Sequence, residues 1–187
     1  MTQDEITDCL IAIAERHMDG DDMKRLLRDA LPAALDKVAP LAPAGPADLT
    51  GEEKEMLQEA GMAAPHLVRC ADLVRAALVL GALRRTPEDE RERLVRELFH
   101  HADAAEQQAI LRTLILLPNA GKFLAVAEEG ARSGARNVFE AIACENLYPA
   151  RHFPEDEFQR LVHKAEALGF PHKRIAGLSE RQGRRLM

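Results

Sequence analysis

Residues 65–83 read PHLVRCADLVRAALVLGAL. Pro65 suits the first turn of a helix, where its missing N–H is not needed. Leu67, Val68, Ala71, Val74, Leu78 and Val79 follow at the three-and-four spacing of one helical face. From Ala76 to Leu83 the run is almost apolar on every side, the pattern of a helix covered all round by neighbours. The spacing predicts a long central helix over 65–83, and such a helix needs other helices to cover it.

Those neighbours are legible on both sides. Thr2 and Glu5 form a T-x-x-E capping box ahead of Ile6, Cys9, Leu10, Ile13 and His17, which predicts a helix over 3–18 ended by Gly20. Asp21 or Asp22 is the expected cap of a second helix carrying Met23, Leu26, Leu27, Ala30 and Leu31, with Pro32 kinking or ending it. Residues 39–50, APLAPAGPADLT, read as an extended Pro-rich connector. Thr50 and Glu53 open a short helix to Gly61. Beyond the central helix, Thr86 and Pro87 read as N-cap and first-turn proline of a helix bearing Leu94, Val95, Leu98 and Phe99. Asp103 with Glu106 caps the next, with Ile110, Leu111, Leu114 and Ile115, and Pro118 stops it. Residues 119–131 and 135–146 read as two helices about Gly134, residues 147–154 as an extended loop held by Pro149 and Pro154, and residues 155–168 as a helix ended by Gly169. Ser179 reads as the cap of a last short turn. No segment alternates as a strand does.

Composition agrees with this pattern. The 187 residues are 47% hydrophobic and 30% charged but only 4% aromatic, which favours helices over a sandwich or barrel. The fold class is therefore all-α, an irregular stack of antiparallel helix pairs with HEAT or armadillo solenoids as the candidate architecture. Residues 1–38 are expected as a helical pair packed on the main body, residues 39–50 as the connector and residues 51–187 as the main helical domain.

Charge and cysteines restrict function. A net charge of −6 argues against non-specific nucleic-acid binding, which needs a cationic face. The basic C-terminal stretch of Lys173, Arg174, Arg181, Arg184 and Arg185 reads as a solvated end. Cys9, Cys70 and Cys144 are odd in number and lie in apolar helical patterns, as small buried thiols of a reducing compartment do. The acidic start is no signal peptide, and the apolar run 76–83 is too short for a membrane span. The chain is read as cytoplasmic and not membrane-embedded.

Catalytic signatures are incomplete. Glu97 and His100, with His101 beside them, form one E-x-x-H pair, whereas a di-metal bundle centre needs two such pairs and further carboxylates. They are a weak metal candidate against the commoner role of helix-end histidines. No G-x-S-x-G and no phosphate loop occurs, and no cofactor is expected. The loop NLYPARHF, Asn146 to Phe153, differs in kind: an amide, the sole Tyr, an Arg and a His crowd together between a helix with Glu140 and one with Lys164. Arg132, Glu140, Asn146, Tyr148, Arg151, His152 and Lys164 are the candidate ligand-binding set, with Arg151 as a planar fork and His152 as donor or acid. Against this stands a purely structural use, with Tyr148 and Phe153 plugging the core and Arg151 paired to Glu140 or Glu145.

The run Val138-Phe139-Glu140-Ala141-Ile142-Ala143, then Asn146, then Tyr148-Pro149-Ala150-Arg151-His152-Phe153, resembles the signature of the EboA family. So do Leu111-Arg112-Thr113-Leu114, Leu117-Pro118, Ala127-Glu128-Glu129-Gly130-Ala131-Arg132, Leu161-Val162, Lys164-Ala165 and Arg174-Ile175-Ala176-Gly177-Leu178. The likeness covers roughly residues 90–181 and departs at Leu147, where a proline is expected, and at Ser133-Gly134, where Thr-Asn is expected. Residues 51–187 are on that likeness an EboA-like domain. The resemblance implies an all-helical protein from bacterial and algal-plastid gene clusters. These also encode a prenyltransferase-like membrane protein, TIM-barrel-like proteins and a sugar-phosphate-cyclase-like protein, and serve a secondary metabolite's synthesis or export. It carries no catalytic residues over.

The expected function is a non-catalytic interaction or small-ligand-binding protein, acting through a helical surface or a pocket beside loop 146–153. Its partner would be a protein of the same gene cluster or a small-molecule metabolite, and a homo-oligomer is compatible with the sequence. The alternative is an enzyme using Glu140, Tyr148, Arg151 and His152 on a phosphorylated or carboxylated small molecule.

Overall fold

The computed structural model describes residues 2–43 and 45–185, without the side chains of Arg184 and Arg185; those two members of the basic C-terminal stretch lie outside the described side chains. The helices are α1 (Gln3–His17), α2 (Gly20–Arg28), α3 (Leu31–Asp36), α4 (Val38–Leu41), α5 (Gly51–Glu59), α6 (Cys70–Arg85), α7 (Glu88–His101), α8 (Ala104–Thr113), α9 (Leu124–Arg132), α10 (Arg136–Ala143), α11 (Tyr148–His152), α12 (Glu155–Ala167) and α13 (Leu178–Arg185). Short 3₁₀ turns occupy Pro65–Leu67, Leu114–Leu116, Ala120–Phe123 and His172–Arg174. No strand occurs among the described residues, so the fold is all-α.

Helix α6 lies at the centre of the stack. It is covered by α1 on one side and α8 on the other; α8 packs in turn on α10, which also meets α9 and α12. Buried residues run along α6 from Cys70 through Leu83 with few gaps, as its all-round apolar character requires. The N-terminal helices join the same core through Leu10, Ile13, Met23 and Leu26, all essentially without solvent exposure. Two surface pairs reinforce that contact. Arg84 of α6 donates to Asp8 of α1 at 2.9 Å, and Arg16 of α1 donates to Glu53 of α5 at 2.8 Å. The Arg16 guanidinium, with the backbone of Thr50, holds the Glu53 carboxyl down to about 2.

The three capping boxes form as their spacing requires, at Thr2/Glu5, Thr50/Glu53 and Asp103/Glu106. Elsewhere the boundaries differ from the sequence expectation. The helix expected over 65–83 is broken at Val68 and Arg69, which are extended. The break has a partner: the Val68 carbonyl accepts from Ala47 N–H at 2.8 Å, and Cys70 N–H donates to the Gly45 carbonyl at 3.1 Å. These bonds to the connector replace the helical ones, and they leave Leu67, assigned above to the core stripe, 57% exposed. The connector itself is shorter than residues 39–50, because α4 takes its first part.

Proline and capping assignments shift for local reasons. Asp19, not Asp21 or Asp22, caps α2, and Pro32 sits in the first turn of α3 rather than inside α2. Thr86 spends its hydroxyl on the Ala82 carbonyl at the end of α6, so Pro87 is the N-cap of α7. Residues 147–154 are not an extended loop. Pro149 stands in the first turn of α11, where a proline is tolerated, and the preference of Tyr148 for extended backbone yields to that turn. Ser179 lies inside α13 and caps nothing that is described.

Close helix approach depends on Gly130 of α9. A Cβ there would stand 2.7 Å from both methyl carbons of the fully buried Leu111 on α8. Gly130→Ala should therefore destabilise the protein by about 1–3 kcal/mol. Gly134→Ala, where a Cβ meets nothing within 4 Å, should change stability by less than about 0.5 kcal/mol. Urea denaturation followed by circular dichroism separates the two.

Candidate functional site

Asp72 is the third residue of α6 and has no solvent exposure. A carboxylate in a helix's first turn sits in the positive end of the helix dipole, but burial still demands charged partners. Two guanidiniums supply them. Arg69, just before α6, forks onto Asp72 with Nε to Oδ2 at 3.1 Å and Nη2 to Oδ1 at 3.0 Å. Arg112, in the last turn of α8, donates Nη1 to Oδ2 at 2.9 Å.

Facing this group is a second one. Arg174, in the 3₁₀ turn after α12, donates Nε and Nη2 to Glu145 at 2.7 and 2.8 Å and Nη2 to Glu140 of α10 at 2.8 Å. These carboxylates raise the already high pKa of the guanidinium. Glu145 holds a left-handed backbone, φ 49°, a conformation that costs a non-glycine residue free energy unless its surroundings fix it. They do: its N–H donates to the Arg174 carbonyl at 2.7 Å while its side chain accepts from the same residue.

Between the two groups lies a cavity of about 220 Å³, lined by Arg69, Arg112, Glu140, Cys144, Glu145 and Arg174 together with Met62, Ala64, Leu67 and Val68. The exposed Leu67 opens it to solvent. Burial pushes the Cys144 thiol up to about 11, so it stands as a neutral wall atom near neutral pH.

Of the sequence-derived set, only Glu140 lines this cavity. Asn146 is buried and fully engaged: its amide donates to the carbonyls of Leu111 and Ala141, both at 3.0 Å, and its oxygen accepts from Tyr148 N–H at 2.9 Å. Tyr148 is wholly buried and donates its hydroxyl to the Ala120 carbonyl at 2.6 Å; burial raises its pKa. Lys164 donates to the Ala131 and Ser133 carbonyls at 2.8 Å, closing the end of α9, with burial lowering its pKa. Arg132 is exposed beside Glu128 at 3.4 Å. Arg151 is exposed and lines a different hollow with Glu155, Glu180 and Arg181, next to α11. His152 stacks on Tyr148 with ring centroids 4.6 Å apart. Tyr148 and His152 thus stay in contact, but Glu140 and Arg151 line two different cavities, so the four side chains read from the loop do not converge on one space. Arg151 pairs with neither Glu140 nor Glu145; Arg174 takes that place.

The weak metal candidates also separate. His100 meets Glu129 at 3.2 Å, and His101 bonds the Glu97 carbonyl at 2.8 Å. No group of three or more metal-ligating side chains occurs among the described residues. Sequence reasoning missed Arg69, Arg112, Arg174 and Glu145 as a site. The available signal was Arg69 and Asp72, a charged pair at helical spacing inside the most apolar stretch of the chain.

Fold and cavity define an all-α protein with a small, charged, solvent-open cavity and, among the described residues, no helix long and apolar enough to cross a membrane. The chain belongs to the EboA family: the family model described as metabolite traffic protein EboA matches residues 45–187. That match extends the resemblance toward the N-terminus and contains every residue that lines the cavity. Comparison with curated proteins and with solved structures gave no match.

The α11 contacts carry two stability predictions. Tyr148→Phe should cost about 1 kcal/mol or more, since it strands the Ala120 carbonyl. Burial, then the neighbouring Arg151, lowers the pKa of His152 below the ordinary histidine value. The unfolded chain therefore binds that proton first, so stability present above about pH 6.5 declines as pH falls through it. His152→Asn should show a smaller loss of urea midpoint between about pH 7.5 and 5.5 than the unaltered protein.

Proposed function

We propose that this protein is a non-catalytic binder of a small metabolite, holding it in the cavity between Arg69, Arg112 and Arg174. The carrying observation is the convergence of three guanidiniums from three separate elements on one solvent-open space, with hydrogen-bond donors left over. Asp72 takes two N–H groups of Arg69 and one of Arg112, while an arginine carries five. Spare donors beside a small apolar wall are what a ligand site uses for orientation. The volume suits a molecule of on the order of ten non-hydrogen atoms. The family description as metabolite traffic protein supports the same reading.

On this reading the protein works in the cytoplasm of a bacterium, with residues 1–38 packed on 51–187 as one unit. It passes its ligand to or from a protein encoded in the same secondary-metabolite cluster. The exposed Leu67 at the cavity supports a handover on that side. This site replaces the pocket beside 146–153 as the favoured one, because Asn146, Tyr148 and Lys164 spend their polar atoms on backbone carbonyls.

Native mass spectrometry of the protein purified from cells expressing the neighbouring genes tests this reading. A co-purifying small molecule is expected. It should be lost in Arg112→Gln at unchanged helix content by circular dichroism. Retention of the molecule in that variant, or its absence from the unaltered protein, would count against the cavity as the site.

A further inference from the structure

The two walls of the cavity carry opposite net charge. From this we infer that the ligand is a zwitterion, a small molecule with an acidic group and an ammonium group. Its acidic end lies toward Arg69 and Arg112 and its ammonium end toward Glu140. The inference rests on the metabolite-binding reading and adds the charge pattern of the ligand to it.

The charges are uneven on each side. Arg69 and Arg112 share a single carboxylate, Asp72. Two positive charges therefore stand against one negative, and the negative one is fully buried behind them. The side chains of the two arginines are 46% and 32% exposed. Nη1 of Arg69 and Nε and Nη2 of Arg112 have no hydrogen-bond partner among the described residues. On the other wall, Arg174 is the one cation paired with Glu140 and Glu145 among the described residues. Here two negative charges stand against one positive. Both oxygens of Glu145 accept from Arg174, whereas Glu140 uses only Oε1, leaving Oε2 as the spare acceptor.

A ligand with only an acidic group would satisfy the first wall and be repelled by the second. A ligand with only an amine would meet the reverse. A zwitterion answers both walls and brings no net charge into a partly desolvated space. The remaining lining is neutral: Met62, Ala64, Leu67 and Val68 offer an apolar face for a short aliphatic body, and the Cys144 thiol carries no charge near neutral pH.

Three probes of one shape test the charge pattern: leucine, which has both groups, isocaproate, which lacks the amine, and isoamylamine, which lacks the carboxylate. Each is titrated into the full chain by ligand-observed NMR near neutral pH. Leucine is expected to bind about tenfold or more tightly than either single-charge analogue. Glu140→Gln should erase its advantage over isocaproate, while Arg112→Gln should weaken leucine and isocaproate together. Isocaproate binding as tightly as leucine would overturn the zwitterion and leave the metabolite site standing. If none of the three binds up to high millimolar concentration, the zwitterion inference falls. The metabolite reading falls as well only where Arg112→Gln retains the co-purifying molecule or none co-purifies. Should Glu140→Gln fail to fold, the comparison of the three probes on the unaltered protein decides alone.

Discussion

A carboxylate with no access to water, Asp72, sits in the first turn of the most buried helix of this protein. Its burial is tolerable only with cationic partners held in good geometry, because an uncompensated charge in the interior costs several kcal/mol. That condition reaches beyond one residue. Arg112 must come from the end of α8, which fixes how α8 lies along α6. Arg69 reaches it from just outside the helix, where bonds to the connector hold Val68 and Arg69 extended. The same break lets the connector pair with the chain at Pro46 and Arg69, and Met62, Ala64, Leu67, Val68 and Arg69 line the cavity. The central packing and the cavity thus share one electrostatic requirement.

The opposite wall is held by backbone geometry. After α10 the chain must reverse within a few residues, and it does so through Glu145 in the left-handed region and Asn146 bonded to three backbone groups. Tyr148 then anchors α11 to the turn before α9. These contacts fix the direction in which Glu140 and Glu145 leave the helix end and meet Arg174. The string Phe139 to Phe153 therefore works mainly as a frame. Its buried members hold the turn, and its two acids form the wall.

Much of the fold was legible because it is written locally. Three capping boxes, the apolar run of α6 and the glycine that follows α12 are each set by neighbouring residues, and each forms in the structure. Two of the misplaced boundaries involve long-range contacts. At 65–69 the helical pattern continues, but bonds to the distant Gly45 and Ala47 override it. At 147–153 the proline pattern reads as extended, but a long-range anchor at Ala120 accompanies one short helical turn. The cavity was hardly legible at all. Its charged residues are spread from Arg69 to Arg174, and beyond the spacing of Arg69 and Asp72 and the place of Glu140 and Glu145 beside the polar loop, nothing in the sequence groups them.

The contrast between the polar loop and the scattered arginines follows from donor arithmetic. A turn between short helices exposes carbonyls that the helices cannot satisfy themselves. Polar side chains in or beside such turns are drawn to those carbonyls: Asn146 to Ala141, Tyr148 to Ala120 and, from α12, Lys164 to Ala131. An amide, a hydroxyl or an ammonium has few donors, and here the backbone takes them. A guanidinium has five, in a rigid fork, and one carboxylate accepts only some of them. Where two arginines share one aspartate, unspent donors are the necessary remainder. Local density of polar residues thus marks where the backbone needs help. Unspent donors survive where cations on separate elements outnumber the carboxylates they meet, as they do at Arg69 and Arg112.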